Sequence, residues 1–312
     1  MAFSATDAAF EGFRLVRRNP LALVAWTLLY AVLTLAALFS LSGMVDQLEA
    51  WSVQAEAMES VADPTFDQIW AVMSDFGAIL AGVAWLLPVS LVVGAMLGAA
   101  VARGVLTPSS DRFGYLRLGM DEVRVLVVTF VLGVVMSLVV VAAFVAVGVL
   151  IAAARTAGGD GPAAIAALVG FLAATCLFIW LSVRLSLAVP ITVAERRFAF
   201  FDSFKLTKGR FWPLLGMAVL ALVMVMLVQL LSSIVSLPLG IVSGLESWSF
   251  NSDQDPEAVR AALDVSNPWV IAHAVVEAIV SALTVGILYA PFAAAWRDIA
   301  GGRPTATASG PV

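Results

Sequence analysis

The sequence predicts an all-α, polytopic membrane protein with six transmembrane helices, and three observations predict it. The 312 residues are 62% hydrophobic and only 12% charged, against roughly 25% charged in an ordinary soluble domain. Apolar runs of about 20 residues or more recur along the chain, each long enough to cross a hydrocarbon core of about 30 Å. The remaining charges are sorted, because the connections between runs alternate between basic and acidic. A buried globular core also produces apolar runs, but not with this length, number and charge alternation. The expected layout is three helical hairpins, each preceded by a cytoplasmic amphipathic segment. Residues 1–300 read as a single six-helix transmembrane domain and residues 301–312 as a tail.

The first element is the segment Asp7 to Pro20. At helical spacing Phe10, Phe13 and Val16 share one side, and Glu11, Arg14 and Arg18 share the other. Such a segment suits the membrane interface. Asn19-Pro20 is a helix start, with Asn as cap and Pro in the first position. Span one follows from Leu21 to Gly43. A signal peptide with Arg17-Arg18 as its charged start is the alternative. The apolar run is longer than the roughly 7–15 residues of a signal core, which argues against it.

The connection from Asp46 to Asp75 holds seven acids and no Lys or Arg. Met44, Leu48, Trp51, Ala55 and Met58 recur at helical spacing, predicting that a helix continues out of span one with a wet acidic face. Asp63-Pro64 restarts a helix, with Phe66, Ile69, Trp70, Met73 and Phe76 as its apolar stripe. Span two is expected from Gly77 to Val101, kinked by Pro88. Gly94 and Gly98 form a small-xxx-small pattern that permits close helix contact, read as packing within the chain rather than dimerisation.

Arg103, Arg112, Arg117 and Arg124 mark the next connection as basic. Span three, Val125 to Ala154, exceeds the bilayer thickness at about 1.5 Å per residue, so it should tilt or protrude. Arg155 to Pro162, with three glycines, makes spans three and four a tight hairpin. Span four runs from Ala163 to Pro190, where the apolar run is expected to stop. A charged and aromatic elbow follows, and span five begins at Pro213 and ends near Ser243. The next connection is acidic, with Arg260 in opposition, and Asp255-Pro256 is expected to cap a short helix in it. Asn267-Pro268 caps span six, Trp269 to Trp296. The Gly-, Pro- and Thr-rich tail is expected to be disordered.

All but three of the 17 Lys and Arg lie in the N-terminal segment, the two basic connections and the tail; the exceptions are Arg155, Arg260 and Arg184. The positive-inside rule therefore places both termini in the cytoplasm. Trp212 and Trp296 on that side, and Trp51, Trp70, Trp248 and Trp269 on the other, fit interfacial belts.

A repeat lies within the basic segments. Phe10-Glu-Gly-Phe-Arg-Leu-Val-Arg17 aligns without gaps to Phe201-Asp-Ser-Phe-Lys-Leu-Thr-Lys208. The order is aromatic, acid, small, aromatic, cation, leucine, any, cation, and each copy precedes a proline-started span. The middle basic segment keeps only an aromatic and Arg117-Leu118 in rough register. The acid and cation at i, i+3 are expected to pair on the wet side. The rings would dip into the acyl boundary while the cations meet anionic headgroups. The interfacial lipid-contact candidates are accordingly Phe10, Phe13, Arg14, Arg17, Phe201, Phe204, Lys205, Lys208, Arg210 and Trp212. The plainer alternative is an anchor that fixes where the next span enters.

Three ionisable residues lie within spans and are functional candidates by position. Arg184 sits near the inner end of span four, where it can also snorkel to the interface. His273 and Glu277 share a face of span six at i, i+4, suited to proton relay or cation binding. Alternatively they satisfy each other and neighbours such as Ser281 and Thr284. With one histidine in the chain, His-ligated metal clusters and His-dependent triads in aqueous loops are excluded. No EF-hand or phosphate-loop spacing occurs. The short basic segments are tied to span ends, which gives nucleic-acid binding no support. Cys176 reads as a small apolar packer. The expectation is therefore no catalytic residue, no metal and no cofactor.

Arg184-Leu-Ser-Leu-Ala-Val-Pro-Ile-Thr-Val-Ala-Glu-Arg196, followed by Ser203-Phe-Lys-Leu-Thr-Lys-Gly-Arg-Phe-Trp-Pro-Leu-Leu-Gly216, resembles a bacterial inner-membrane family. That family is labelled as the membrane domain of glycerophosphoryl diester phosphodiesterase. The resemblance implies a six-span layout, a bacterial inner-membrane location and a lipid-related setting. The family's named activity resides in a soluble barrel with aqueous His and acidic metal ligands, which this sequence lacks. The expected function is thus non-enzymatic: organising or binding membrane lipids, partner membrane proteins or further copies of the chain. The alternative is a small transporter or lipid-handling protein using the polar residues of spans four and six.

Overall fold

The computed structural model describes residues 4–61, 63–108, 113–244 and 260–301. The helix expected at Asp255-Pro256, the belt position of Trp248 and the tail beyond Gly301 lie outside the described residues. Among the described residues the regular structure is helical. Six stretches are long and apolar enough to cross a membrane: Pro20–Ser42, Phe66–Leu106, Met120–Gly158, Asp160–Glu195, Phe211–Ser243 and Pro268–Ala300. The chain is an all-α, multi-pass integral membrane protein. Its surface agrees with that solvent. Phe144 is 71% exposed and Leu168 61%, a display of apolar area that water would not tolerate and acyl chains cover.

The helices in order are α1 (Ala5–Ala9), α2 (Glu11–Arg18), α3 (Pro20–Ser42), α4 (Val45–Glu59), α5 (Phe66–Val83), α6 (Leu86–Leu106), α7 (Met120–Gly158), α8 (Asp160–Leu185), α9 (Ala188–Glu195), α10 (Asp202–Leu206), α11 (Phe211–Ser243) and α12 (Pro268–Ala300). Contacts divide the chain into two compact units: residues 1–15, 95–222 and 287–312, and residues 16–94 and 223–286.

In the first unit Leu97, Val101, Tyr115, Val125, Leu187, Ile191 and Met217 are fully buried. Helices α7 and α8 form the expected hairpin, but the turn shrinks to one residue, Gly159, at φ 78° and ψ −158°. That conformation is open essentially only to glycine. Gly170 of α8 lies so close to α7 that an added Cβ would sit 2.9 Å from Val147. Gly98 of α6 likewise faces the Tyr289 ring, 3.5 Å from an added Cβ, whereas nothing approaches Gly94 within 4 Å. One of the two small residues thus packs within the chain.

Span four does not run to Pro190. It is interrupted at Ser186-Leu187, and Pro190 lies in the first turn of α9. The proline ring has no N–H for the carbonyl four residues back, at Ser186, and clashes with it. Span two repeats the arrangement: α5 and α6 part at Ala84-Trp85, four and three residues before Pro88. Pro238 and Pro291, by contrast, lie inside continuous helices. The middle basic connection also departs from the repeat, because residues 113–119 are irregular, with Phe113, Gly114 and Tyr115 all at positive φ. Tyr115 is buried there, and its hydroxyl donates to the Pro108 carbonyl at 3.1 Å.

In the second unit Trp26 and Leu263 are fully buried. The helix expected to continue from span one is a separate element, α4, after a break at Gly43-Met44. Its apolar stripe packs back on α5: the Trp51 ring lies 5.0 Å from Phe76 and its indole N–H donates to the Val72 carbonyl. Thr65 and Gln68 close a capping box at the start of α5. Asn267 caps α12 by accepting the Trp269 amide at 3.0 Å. Asn19 makes no side-chain cap, although Pro20 holds the expected first helical position. Arg260 pairs with Asp46 and reaches Glu49 at 3.8 Å, so the two acidic connections are joined through that cation.

Candidate functional site

The two copies of the repeat adopt related structures. Each becomes helical immediately after its first aromatic residue, as α2 and α10. Burial follows the alignment at four of its eight positions. Gly12 and Ser203 are buried, as are Leu15 and Leu206, while Phe10 and Phe201, and Arg17 and Lys208, are exposed. The pattern therefore encodes one inward stripe of small residue and leucine, and one outward stripe of aromatic and cation.

At α10 the inward stripe does chemical work on span four. The interruption after Leu185 leaves backbone groups of Arg184 and Leu187 without helical partners. The Ser203 hydroxyl donates to the Arg184 carbonyl at 2.6 Å and accepts the Leu187 amide at 3.1 Å. Thr207 bonds back to the Ser203 carbonyl at 2.8 Å. Arg184 then reaches from span four to α10, donating to the Phe204 carbonyl and the Thr207 hydroxyl, each at 3.4 Å. Its guanidinium lies 5.6 Å from the centre of the Trp180 ring. A cation on the exposed carbonyls of a helix end is favourable. Arg184 thus clamps the elbow to the span. Phe204 takes part in the same cluster, its ring edge-on to Trp180 at 6.0 Å, so among the lipid-contact candidates it packs against the protein.

At α2 the inward stripe includes Glu11, which its spacing had placed on the wet side. It is 5% exposed, pairs with Arg14 at 3.3 Å and is met by Arg297 of α12 at 3.7 Å. The local period cannot register a partner so distant in sequence. Arg14 also pairs with Asp7, and that hydrogen bond, then the charge of the guanidinium, holds the Asp7 carboxyl below its usual range. Arg14 is consequently occupied by carboxylates. In the second copy the i, i+3 pair does not form. Asp202 instead accepts from Arg197 at 2.6 Å, and that bond, followed by the one Arg197 donates to Glu195, raises the Arg197 pKa. Phe10, Phe13, Arg17, Phe201, Lys205, Lys208, Arg210 and Trp212 are exposed.

A buried ion pair that the sequence did not suggest joins α6 to α7: Arg103 with Glu122, both less than a tenth exposed. Glu122 also accepts the Gly119 amide at 3.0 Å, which caps α7. A Glu three residues past a glycine at a span start was the available signal.

In span six His273 and Glu277 are half-buried. The mutual network expected of them is not formed among the described residues. His273 Nδ1 and the Thr284 hydroxyl, about three turns apart on one helix face, are buried without hydrogen-bond partners. No group of His, Cys, Asp or Glu among the described residues is arranged to hold a metal ion.

No family model matches the chain, and no curated protein and no solved structure matches it.

Proposed function

We propose that this protein is a non-enzymatic lipid-binding protein of the bacterial inner membrane, with both termini cytoplasmic, that gathers anionic phospholipid at its arginine-rich end. The observation that carries this is the outward stripe shared by the two repeat copies. Phe10, Phe13 and Arg17 on one, and Phe201, Lys205 and Lys208 on the other, are exposed, although both helices bury their opposite sides. Exposed aromatics beside cations match the chemistry of the headgroup boundary, where rings favour the interface and each cation near an anionic surface contributes about 1 kcal/mol. Arg210 and Trp212 extend the stripe to the start of α11. The unmatched buried His273 Nδ1 and Thr284 Oγ1 favour a second reading, in which span six holds water or a polar cargo and the protein transports it.

One reconstitution separates the two. In bilayers of mixed phosphatidylglycerol and phosphatidylcholine, a spin-labelled phosphatidylglycerol should be motionally restricted by the protein in preference to phosphatidylcholine. The preference should weaken with salt. Replacing Arg17, Lys205 and Lys208 by Gln should remove most of it, by up to about fivefold for each cation. Glu277→Gln with His273→Ala should leave it unchanged. No preference in the wild type, or a preference indifferent to the three substitutions, contradicts lipid gathering. Loss of a solute flux in the span-six variant at normal protein level would favour transport.

A further inference from the structure

Helices α4 and α5 form a platform beside the acidic connection. Thr65 and Gln68 close the capping box that starts α5, and Trp51 of α4 packs on Phe76 and donates to the Val72 carbonyl at 3.1 Å. Those contacts fix which way α5 faces. At about 3.6 residues per turn, Phe66, Ile69, Trp70 and Met73 share the neighbouring side. That side is open: Phe66 is 75% exposed, Trp70 64%, Met73 52% and Ile69 43%. The Phe66 and Trp70 rings stack at 6.2 Å, so they present one aromatic surface.

Acyl chains do not account for this stripe. The apolar run from Gly77 to Val101 covers about 37 Å as helix, more than the roughly 30 Å hydrocarbon core, and the stripe precedes it. Headgroups are an equally poor cover. Helices that lie on membranes carry Lys and Arg on their wet side. Here the polar positions are Asp67 and Asp75 on α5 and Glu56 on α4, all exposed and without an ion pair among the described residues. No Lys or Arg lies between Asp46 and Asp75, and Arg260 is held by Asp46 and Glu49. The connection through residues 245–259 holds Glu246, Asp253, Asp255 and Glu257 and no cation, so it repeats this charge instead of complementing it. A second copy meeting the first through the same patch would do likewise.

We propose that the platform binds a basic amphipathic helix of a partner protein. The helix seats its apolar side on Phe66, Ile69, Trp70 and Met73, and its Lys and Arg meet Glu56, Asp67 and Asp75. Aromatic residues and Met are enriched at interface centres, and Trp is prominent among the residues that carry binding. An acidic surround speeds the approach of a cationic partner. The inference does not rest on the lipid-gathering stripes, which belong to other segments.

Fluorescence anisotropy of a labelled peptide tests this, with the full-length protein in phosphatidylcholine nanodiscs and empty discs as the blank. The probe is a helix of about five turns with Leu on one side and Lys on the other. Its controls carry Glu in place of Lys, or Ser in place of Leu. The Leu/Lys peptide should bind saturably at one site, less tightly as salt rises, and the controls should not. Trp70→Ser should weaken binding about tenfold or more. Asp67→Asn with Asp75→Asn should slow association about threefold or more and flatten the salt dependence. Arg17→Gln should change nothing. These side chains are exposed, so each variant should keep the wild-type unfolding midpoint; should Trp70→Ser melt early, Met73→Gln decides, with weaker binding expected. An environment-sensitive dye on Ile69→Cys in a Cys176→Ala background should be quenched by aqueous iodide, not by doxyl-labelled lipid, and the peptide should shield it. The proposal is overturned if the Leu/Lys peptide binds no better than to empty discs, if a control peptide binds as tightly, or if either set of substitutions leaves binding unchanged. Quenching by the doxyl lipid would also overturn it, because the stripe would then belong to the bilayer.

Discussion

The Ser203 hydroxyl contacts two backbone groups that belong to another helix, the Arg184 carbonyl and the Leu187 amide. Replacing it by alanine leaves both buried groups unmatched, at a cost of roughly 1–3 kcal/mol. Ser203→Ala should therefore lower the midpoint of thermal unfolding in detergent, whereas Ser233→Ala, on an exposed turn of α11, should not. Equal midpoints for the two would remove the staple from the account. The alignment of repeats identified position 203 as small, matching Gly12, but class matching carries no information about partners. Glu11 illustrates the same boundary. Its i, i+3 pairing with Arg14 was legible and is present, yet its burial was not, because Arg297 lies at the far end of the sequence. Short-range spacing registers which residues share a helix face, and only tertiary packing decides which face turns inward. Of the Phe and cation positions in the repeat, Phe204 packs against Trp180 and Arg14 pairs with carboxylates, while the others are exposed.

Helix starts were legible at Pro20 and at Asn267-Pro268, where a proline or a cap announced them, whereas the helix expected to start at Pro213 begins at Phe211. Helix interruptions were less so. Pro88 and Pro190 each follow a break, while Pro238 and Pro291 sit inside unbroken helices. A proline always removes one hydrogen bond, but whether the helix parts depends on what meets the freed groups. At the break before Pro190, Ser203 meets the Arg184 carbonyl and the Leu187 amide. The hairpin turn between α7 and α8 was expected to take several residues and takes one. Gly159→Ala places a Cβ in a region closed to it, at an expected cost of about 1–3 kcal/mol. The variant should unfold at lower temperature than Gly161→Ala, whose added Cβ meets nothing within 4 Å. Equal stability of the two would mean that the turn is not held at Gly159. The middle basic segment could not be recognised as irregular, since a run of aromatic and arginine residues is compatible with either state.

On the scale of the whole molecule, composition and apolar run length were enough for the fold class, because a bilayer admits few solutions to backbone hydrogen bonding. On the proposed topology six crossings return the chain to the side on which it began, with the basic residues on the segments of that side, and the lipid-gathering proposal depends on it. The buried pair of Arg103 and Glu122 was invisible by contrast, since the two residues belong to different helices and no spacing links them. The most direct measurement is the sidedness of single cysteines introduced into a Cys176→Ala background, labelled by an impermeant maleimide in right-side-out and inverted membrane vesicles. Arg17→Cys and Lys208→Cys should be labelled only in inverted vesicles, and Asp46→Cys only in right-side-out ones. Labelling of positions 17 and 208 from opposite sides, or of position 46 from the same side as either, would contradict the account.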